Sequence, residues 1–348
     1  MNPGAYRKCV DVEGRFEVLA KRLGDETVLA IADARVLALH PQVARTLARK
    51  NVTLVSLKAG EGAKSLTIVE RLTKQALTFS RKGTVLAIGG GTIGDVATVF
   101  AHVFKRGVGR LVHVPTTLLA AVDSSVGGKG AVNVAGTKNV LGVFHAAEEG
   151  WLCPELFTTL SESQRREGRI EAWKMVVTLD AKRFAAWSRK PPTDDELVRV
   201  SRALKHSIVA KDPYETKGLR EVLNFGHTLG HAIESLSRYR VRHGEAVGLG
   251  MLYALDVGVR EGVTPRDVAQ AVEEALPLAK GARKQLASWL AAKNVKALEQ
   301  HVRADKKGGM ILLTRPGRWV KHPFLPLPRG GQSPLGRRRW GQQGRGEG

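Results

Sequence analysis

Residues 84–95 read Thr84-Val85-Leu86-Ala87-Ile88-Gly89-Gly90-Gly91-Thr92-Ile93-Gly94-Asp95, and this stretch decides the fold. An aliphatic, β-branched run enters a triple-glycine turn, and an apolar pattern of helical period follows. That is the pattern of a strand passing directly into a helix. Glycines let the backbone come close to a ligand, and a helix N-terminus points N–H groups at a phosphate. The letters also satisfy G-x-G-x-x-G. A dinucleotide fingerprint needs an acid about 20 residues further on. Here that region offers Arg106 and Arg110 instead, so the fingerprint is incomplete.

Working outward, residues 27–33 read as a buried strand and 52–57 and 111–114 as further strands, with a helical stretch at 66–80. Alternating strands and helices up to about residue 150 indicate a parallel α/β sheet. Asp33 closes the first of these strands, where an acid can bind ribose hydroxyls. Polar loops follow the others. They are Gly60-Glu61-Gly62-Ala63-Lys64-Ser65, Pro115-Thr116-Thr117, and the Ser/Gly-rich run flanked by Asp123 and Lys129, with Lys138-Asn139 after a further glycine turn. Two lysines, an aspartate and exposed glycines suit an anionic, polyhydroxylated ligand.

Beyond Leu160 the strand signals stop. Helical patterns occupy 162–180, 195–211, 220–236, 244–260, 265–275 and 283–304. The expected organisation is an α/β domain over 1–160 and an all-α domain over 161–315. Residues 316–348, rich in Arg, Gly and Pro without periodicity, are expected to be a disordered tail.

The helical half holds the densest chemistry. Asn224, His227, His231 and Glu234 fall at helical spacing and should share one side of a helix. His243 follows after a short Arg-rich turn and opens another apolar run. Buried imidazoles each need a polar partner, and neutral imidazole binds zinc well. By spacing alone, His227 and His231 would be joint ligands. Glu171 and Lys174 lie three apart on one helical face. Spacing favours a surface ion pair, although Glu171 could complete a His₂Glu zinc site.

The chain has 348 residues, a net charge of +22, 43% hydrophobic and 5% aromatic residues. So strong a positive charge fits nucleic acid or an anionic small substrate. The low aromatic content disfavours stacking on bases. Two cysteines, Cys9 and Cys153, without metal-type spacing argue for a reducing compartment. No apolar run is long enough for a membrane span, and no signal-peptide pattern opens the chain. A cytoplasmic protein is expected.

These pieces together resemble the 3-dehydroquinate synthase family, within the sugar-phosphate cyclases. The resemblance rests on GGGTIGD, PTTLLAAVDSSVGGK, K-N, E-x-x-K, GLRxxLNFGHTxGHAIE, HGEAV and DKK, in order, over about residues 27–315. It implies an N-terminal α/β domain that binds NAD and a helical, metal-binding C-terminal domain. The metal, zinc or cobalt, would sit on Glu171, His227 and His243, which leaves His231 on the substrate's phosphate side. NAD would use Asp33, Glu61, Lys64, Gly90, Gly91, Thr92 and Asp95, with Thr116, Thr117, Lys129, Lys138 and Thr159. The substrate would meet Asp123, Lys129, Asn139, Lys174, Lys205, Arg220, Asn224, His231 and Lys307. An arginine matching Arg106 reaches the neighbouring subunit's site in the family, which implies a homodimer.

The implied activity is a carbon–oxygen lyase reaction, the second step of the shikimate route to aromatic amino acids. It converts 3-deoxy-D-arabino-heptulosonate 7-phosphate to 3-dehydroquinate and phosphate. Aminodehydroquinate synthase, another sugar-phosphate cyclase, and an NAD- and metal-dependent polyol dehydrogenase are the alternatives. The chain departs from the family pattern at Arg35, Gly130, Ser161 and Met175-Val176-Val177. It also carries one extra residue between Asp212 and Arg220, and one between Arg106 and Pro115.

Overall fold

The structure is a computed structural model and describes residues 9–304, 309–325 and 327. The chain divides into two compact units. One runs up to Ala172 and includes Pro192–Arg220; the other holds Trp173–Pro191 and the residues from Glu221 onward.

In the first unit the strands, in chain order, are β1 (Val10–Glu13), β2 (Val28–Asp33), β3 (Val52–Leu57), β4 (Thr84–Gly89), β5 (Arg110–Pro115), β6 (Lys129–Val134), β7 (Thr137–Phe144) and β8 (Glu149–Leu152). Six of them form a parallel sheet in the order β1-β8-β5-β4-β2-β3, and β6 and β7 form a separate antiparallel hairpin. The helices are α1 (Phe16–Leu23), α2 (Ala34–Leu39), α3 (Pro41–Leu47), α4 (Leu66–Gln75) and α5 (Gly91–Val103).

Both sheet faces are covered, as parallel sheets require. Leu29, Ile31, Val85, Ala87 and Leu111 pack with Ile93, Val96 and Phe100 of α5 and Leu72 of α4. The alternate residues Val28, Ala30, Leu86, Ile88 and Val112 pack with Phe16 and Leu19 of α1 and Val43 and Leu47 of α3. From β2 the chain goes to β3 on one side and then to β4 on the other. The carboxyl ends of β2 and β4 therefore flank a topological switch point, where open α/β sheets bind ligands.

Helix α6 (Glu162–Leu179) runs from the first unit into the second. In the second unit follow α7 (Ala181–Arg189), and later α9 (His227–Leu236), α10 (His243–Arg260), α11 (Arg266–Ala275), α12 (Ala282–Trp289) and α13 (Ala292–Ala304). Helix α8 (Asp194–Lys211) belongs to the first unit, although sequence order places it among the helices of the second domain. Its buried Arg202 explains why: the guanidinium donates to Ala121 O and Ser125 Oγ, each at 2.7 Å, and pairs with Asp11 of β1. His206, one turn on, meets the other oxygen of Asp11 at 3.1 Å.

Two further expectations are corrected. The helical second unit also carries a ribbon of β9 (Met310–Arg315) and β10 (Arg318–His322), so residues 318–322 are a strand and not part of a structureless tail. Met310, Ile311, Leu312 and Leu313 are buried, and Leu327 is buried with its N–H on Glu299 at 3.0 Å. Residues 326 and 328–348 of the expected tail lie outside the described residues. Among the described residues, no helix is long and apolar enough to cross a membrane.

Ending the chain after Arg315 would remove the partner strand of β9 and the buried Leu327. Burial of one leucine contributes about 1.5–3 kcal/mol, so the melting temperature should fall by roughly 4–10 °C. An unchanged thermal melt of that truncation would show the ribbon to be dispensable.

His113 on β5 is buried against α5, with Thr98 Oγ1 3.1 Å from its Nε2. Burial first, and then the charge of Arg202, push it down to about 4. The unfolded ring takes up a proton near its usual value of about 6.5. Between those values the unfolded chain binds more protons, so stability should fall as pH falls from about 6.5 to 4. The single-site loss is at most about 3 kcal/mol. Urea midpoints over this range should show a flatter slope for His113→Gln; an equal slope would assign the effect elsewhere.

Candidate active site

In the first unit, β4 ends in the glycine turn and α5 begins at once. A Cβ at Gly90 would lie 3.2 Å from Thr117, and one at Gly91 3.0 Å from Ser124 Oγ. Side chains are thus excluded just where the first-turn N–H groups of α5 point outward, which leaves a cradle for a phosphate. Thr92 Oγ1 accepts from Gly60 N at 3.2 Å and ties this turn to the loop after β3. Thr116 is buried, with its N–H on Gly89 O at 3.0 Å, and Thr117 Oγ1 accepts from Ala120 N at 3.1 Å.

The loop and the hairpin bring several expected residues together. Lys64 Nζ lies 2.6 Å from Asp95 Oδ2 and donates to Asn139 Oδ1 at 2.5 Å. Lys138 Nζ lies 3.1 Å from Glu61 Oε1. Asn133, which sequence reading did not single out, donates to Glu61 Oε2 at 2.9 Å and accepts from Asn139 N at 3.0 Å. Burial raises the Asp95 carboxyl above the usual range, against the pull of Lys64. Asp33 caps α2, accepting from Arg35 N at 3.0 Å, and stands at the carboxyl end of β2. Thr159 Oγ1 is 3.0 Å from His40 Nε2, so it joins that ring and not the Glu61 network.

The segment after Thr117 forms a short π-helical turn, Ala120–Ser124. Such turns are rare and favour functional positions. The turn presents Asp123 to the buried Lys205 of α8, whose Nζ lies 2.8 Å from Asp123 Oδ1 and donates to Asp123 O at 2.5 Å. Arg202, one turn earlier, fastens the same segment from below. Burial opposes ionisation of Asp11, but the bonds from His206 and Arg202 outweigh it and hold the carboxyl at about 2.

Further along, Arg220 is buried and donates to Pro213 O at 2.9 Å. It packs so closely on the Gly127 backbone that a Cβ there would meet Nη2 at 2.8 Å, and Gly127 itself has φ +106°. Lys129 is ion-paired with Glu215, and Arg220 Nε lies 3.4 Å from the same Glu215 oxygen. Sequence reading did not anticipate Glu215. The only signal was the extra residue in its loop. Arg106 is exposed at the end of α5, in a turn where Lys105 and Arg106 both have positive φ.

In the second unit, α9 and α10 cross at glycines. A Cβ at Gly250 would sit 1.9 Å from Gly226 O, and Gly230 lies against Ala246 and Val247. This close crossing brings three imidazoles together. His227 lies 5.2 Å from His231 and 5.4 Å from His243, centroid to centroid. His227 Nδ1 faces Phe225 O at 3.3 Å, and His243 Nδ1 faces Glu234 Oε2 at 3.0 Å. A ring engaged at Nδ1 by a carbonyl or carboxylate presents Nε2 to a metal, the usual second-shell arrangement. The donor set therefore fits a divalent ion such as zinc or cobalt. His231, Glu234 and His243 also bring ligand atoms within 4.8 Å of one another, but Glu234 is engaged in orienting His243.

Asn224 does not share a helix with the histidines. It ends a 3-10 turn, Leu219–Asn224, and Gly226 at φ +80° separates that turn from α9. Glu171 and Lys174 are both buried, which overturns the surface ion pair. Glu171 lies one turn after Gly168, where α6 packs so tightly on Leu118 that a Cβ would come within 2.6 Å. Lys307 lies outside the described residues.

Comparison with known proteins agrees with this geometry. A solved 2-deoxy-scyllo-inosose synthase complexed with carbaglucose-6-phosphate, NAD+ and Co2+ superposes with a TM-score of 0.79 at 26% identity, covering 92% of this chain and 95% of that one. The fold is that of the sugar-phosphate cyclases. Residues 54–167 match the 3-dehydroquinate synthase N-terminal family and residues 168–308 its C-terminal counterpart. The chain belongs to the 3-dehydroquinate synthase family. A 3-dehydroquinate synthase of Endomicrobium trichonymphae is 38% identical over 274 residues, 75% of this chain and 76% of that protein. That of Shouchella clausii is 40% identical over 278 residues, 75% of each. A 2-epi-valiolone synthase of Actinosynnema mirum is 36% identical over 276 residues, 75% of this chain and 72% of that protein.

Proposed function

We propose that this chain converts 3-deoxy-D-arabino-heptulosonate 7-phosphate to 3-dehydroquinate and phosphate. The observation that carries the reading is the meeting of Lys129 and Arg220, from separate segments, on one carboxylate oxygen. Two cations held that close form a receptor for an anion, and the planar fork of an arginine suits a carboxylate in particular. Cyclases whose substrates lack the carboxylate have no need of that fork.

When bound, NAD would supply reversible hydride acceptance from a substrate carbinol, and a divalent ion would supply Lewis acidity to the neighbouring hydroxyls. Glu171, His227 and His243 would hold the ion, the two rings aimed by Phe225 O and Glu234. The glycine turn and the first turn of α5 would take the pyrophosphate, with Asp33 at the ribose. Glu61, Lys64, Asp95, Lys138 and Asn139 would line the dinucleotide. Arg220 and Lys129 would fix the substrate's carboxyl end. Asp123, oriented by Lys205, would accept from a substrate hydroxyl and hold that proton away from solvent. Lys174, Asn224, His231 and Lys307 would complete the hydroxyl and phosphate contacts. Arg106, on its exposed turn, would reach a second copy of the chain, which makes a homodimer the working assembly.

Purified protein with NAD and zinc or cobalt should release phosphate from the heptulosonate phosphate, with no net reduction of NAD. Steady reduction of NAD without phosphate release would assign the chain to the polyol dehydrogenases.

Elemental analysis should show His243→Ala losing its ion while His231→Ala keeps it. Glu234→Gln should bind the metal about 10- to 100-fold more weakly, because the ring it orients is no longer held. Loss of metal in His231→Ala, with His243→Ala intact, would reverse the ligand assignment.

A further inference from the structure

The carboxyl end of β2 carries an acid with a cation on either hand. Asp33 Oδ1 accepts from Arg35 N at 3.0 Å, and among the described residues Oδ2 has no hydrogen-bond partner. Arg35 is exposed. Its backbone N–H is spent on Asp33, yet its guanidinium pairs with no carboxylate among the described residues, Asp33 included. Strand β3 runs parallel beside β2 with Leu57 opposite Asp33, so Lys58 leaves β3 one residue past the partner of Asp33. Lys58 is likewise exposed and without an ion pair among the described residues. The other cations around this end of the sheet are matched: Lys64 lies on Asp95 and Asn139, and Lys138 on Glu61. On the other side of β2 stands the glycine turn that closes β4. Gly60, two residues after Lys58, donates its N–H to Thr92 Oγ1 at 3.2 Å and ties the Lys58 loop to that turn.

We propose that Arg35 and Lys58 form a subsite for the 2′-phosphate of NADP, so that this chain takes NADP as well as NAD. The proposal rests on the reading of the glycine turn and Asp33 as the dinucleotide site. In a nucleotide fold an acid at this strand end meets the ribose hydroxyls, and a nearby arginine accommodates a 2′-phosphate. Here both stand at one strand end. With NAD, Asp33 Oδ2 accepts from the ribose diol. With NADP, the 3′-hydroxyl remains for Asp33, and the guanidinium and the ammonium share the phosphate, which carries about −1.5 to −2 charges. The planar fork of Arg35 suits two phosphate oxygens at once. The charge of Asp33 opposes that phosphate, and the two cations offset it. Neither cation has to release a carboxylate first. The result is a site with little preference between the two dinucleotides, in which Arg35 and Lys58 act on NADP alone.

The test is equilibrium binding of NAD+ and NADP+ to the full chain by calorimetry, with no substrate present, on wild type, Arg35→Gln and Lys58→Gln, each checked by its thermal melt. Wild type should bind NADP+ with a Kd within about tenfold of that for NAD+. Arg35→Gln should weaken NADP+ by about tenfold, the size of one charged hydrogen bond, and leave NAD+ within about twofold. Lys58→Gln should weaken NADP+ by about threefold, as one exposed ion pair does, again without effect on NAD+. The Kd for NADP+ should rise more steeply with salt than that for NAD+, and Arg35→Gln should reduce the difference. Binding of NADP+ to wild type more than about 100-fold weaker than NAD+ overturns the proposal. So does an Arg35→Gln that weakens both dinucleotides equally or neither. Failure of the underlying reading would look different: neither dinucleotide would bind to wild type.

Discussion

The end of β4 has no room for a side chain. A Cβ on Gly89 would lie 2.6 Å from Ile93, so the strand must pass into α5 within one turn, and much else follows from that constraint. Helix α5 is drawn down onto the sheet, where Ile93, Val96 and Phe100 complete one of its two cores. Its other side receives the hairpin, with Gly130 against Thr98. The hairpin in turn carries Asn133, Lys138 and Asn139 to Glu61 and Lys64. The glycines therefore shape the turn at the head of α5 and also set where the polar residues around it can be.

Gly130, a departure from the family pattern, stands where this chain leaves no room for a side chain. A Cβ there would meet Thr98 Cβ at 2.5 Å and Asp95 O at 3.0 Å. Glycine at 130 and threonine at 98 thus form a matched pair, and Thr98 spends its hydroxyl on His113. The replacement Met175-Val176-Val177 is of another kind. All three side chains are fully buried, so that turn of α6 has become ordinary apolar core, with Val177 O receiving Gly317 N at 2.8 Å.

The central strands were legible because both faces of each are apolar over five or six residues. β1 and β8 were not, because VDVE and EGWL are four residues each and half polar. Spacing set Asn224 on the histidine helix because periodicity cannot register a left-handed Gly226. It set residues 318–322 in a tail because arginine and lysine mask a strand whose partner, β9, supplies the apolar side. The site was readable wherever its chemistry sits in one contiguous motif. Residues that act through partners far along the chain, such as Asn133 with Glu61 and Glu215 with Lys129, left no local pattern. The burial of Glu171 and Lys174 was invisible for the same reason, since what covers a residue is not written beside it.

The placement of α8 has a consequence for how the protein is made. Asp11 and Arg202 are 191 residues apart in the chain, and the intervening sequence includes α7, which belongs to the other unit. Closing so long a loop costs entropy, which the buried Arg202 helps to offset through its bonds to Ala121 O, Ser125 Oγ and Asp11. During synthesis, the edge of the sheet and the Asp123 turn therefore stay unfastened until α8 has emerged from the ribosome. A nascent chain stalled near residue 160 holds the whole sheet but lacks the helix that locks it. The unit that sequence order presents as the first to be finished is completed only after part of the second has been translated. A single cut in the gene cannot separate the two.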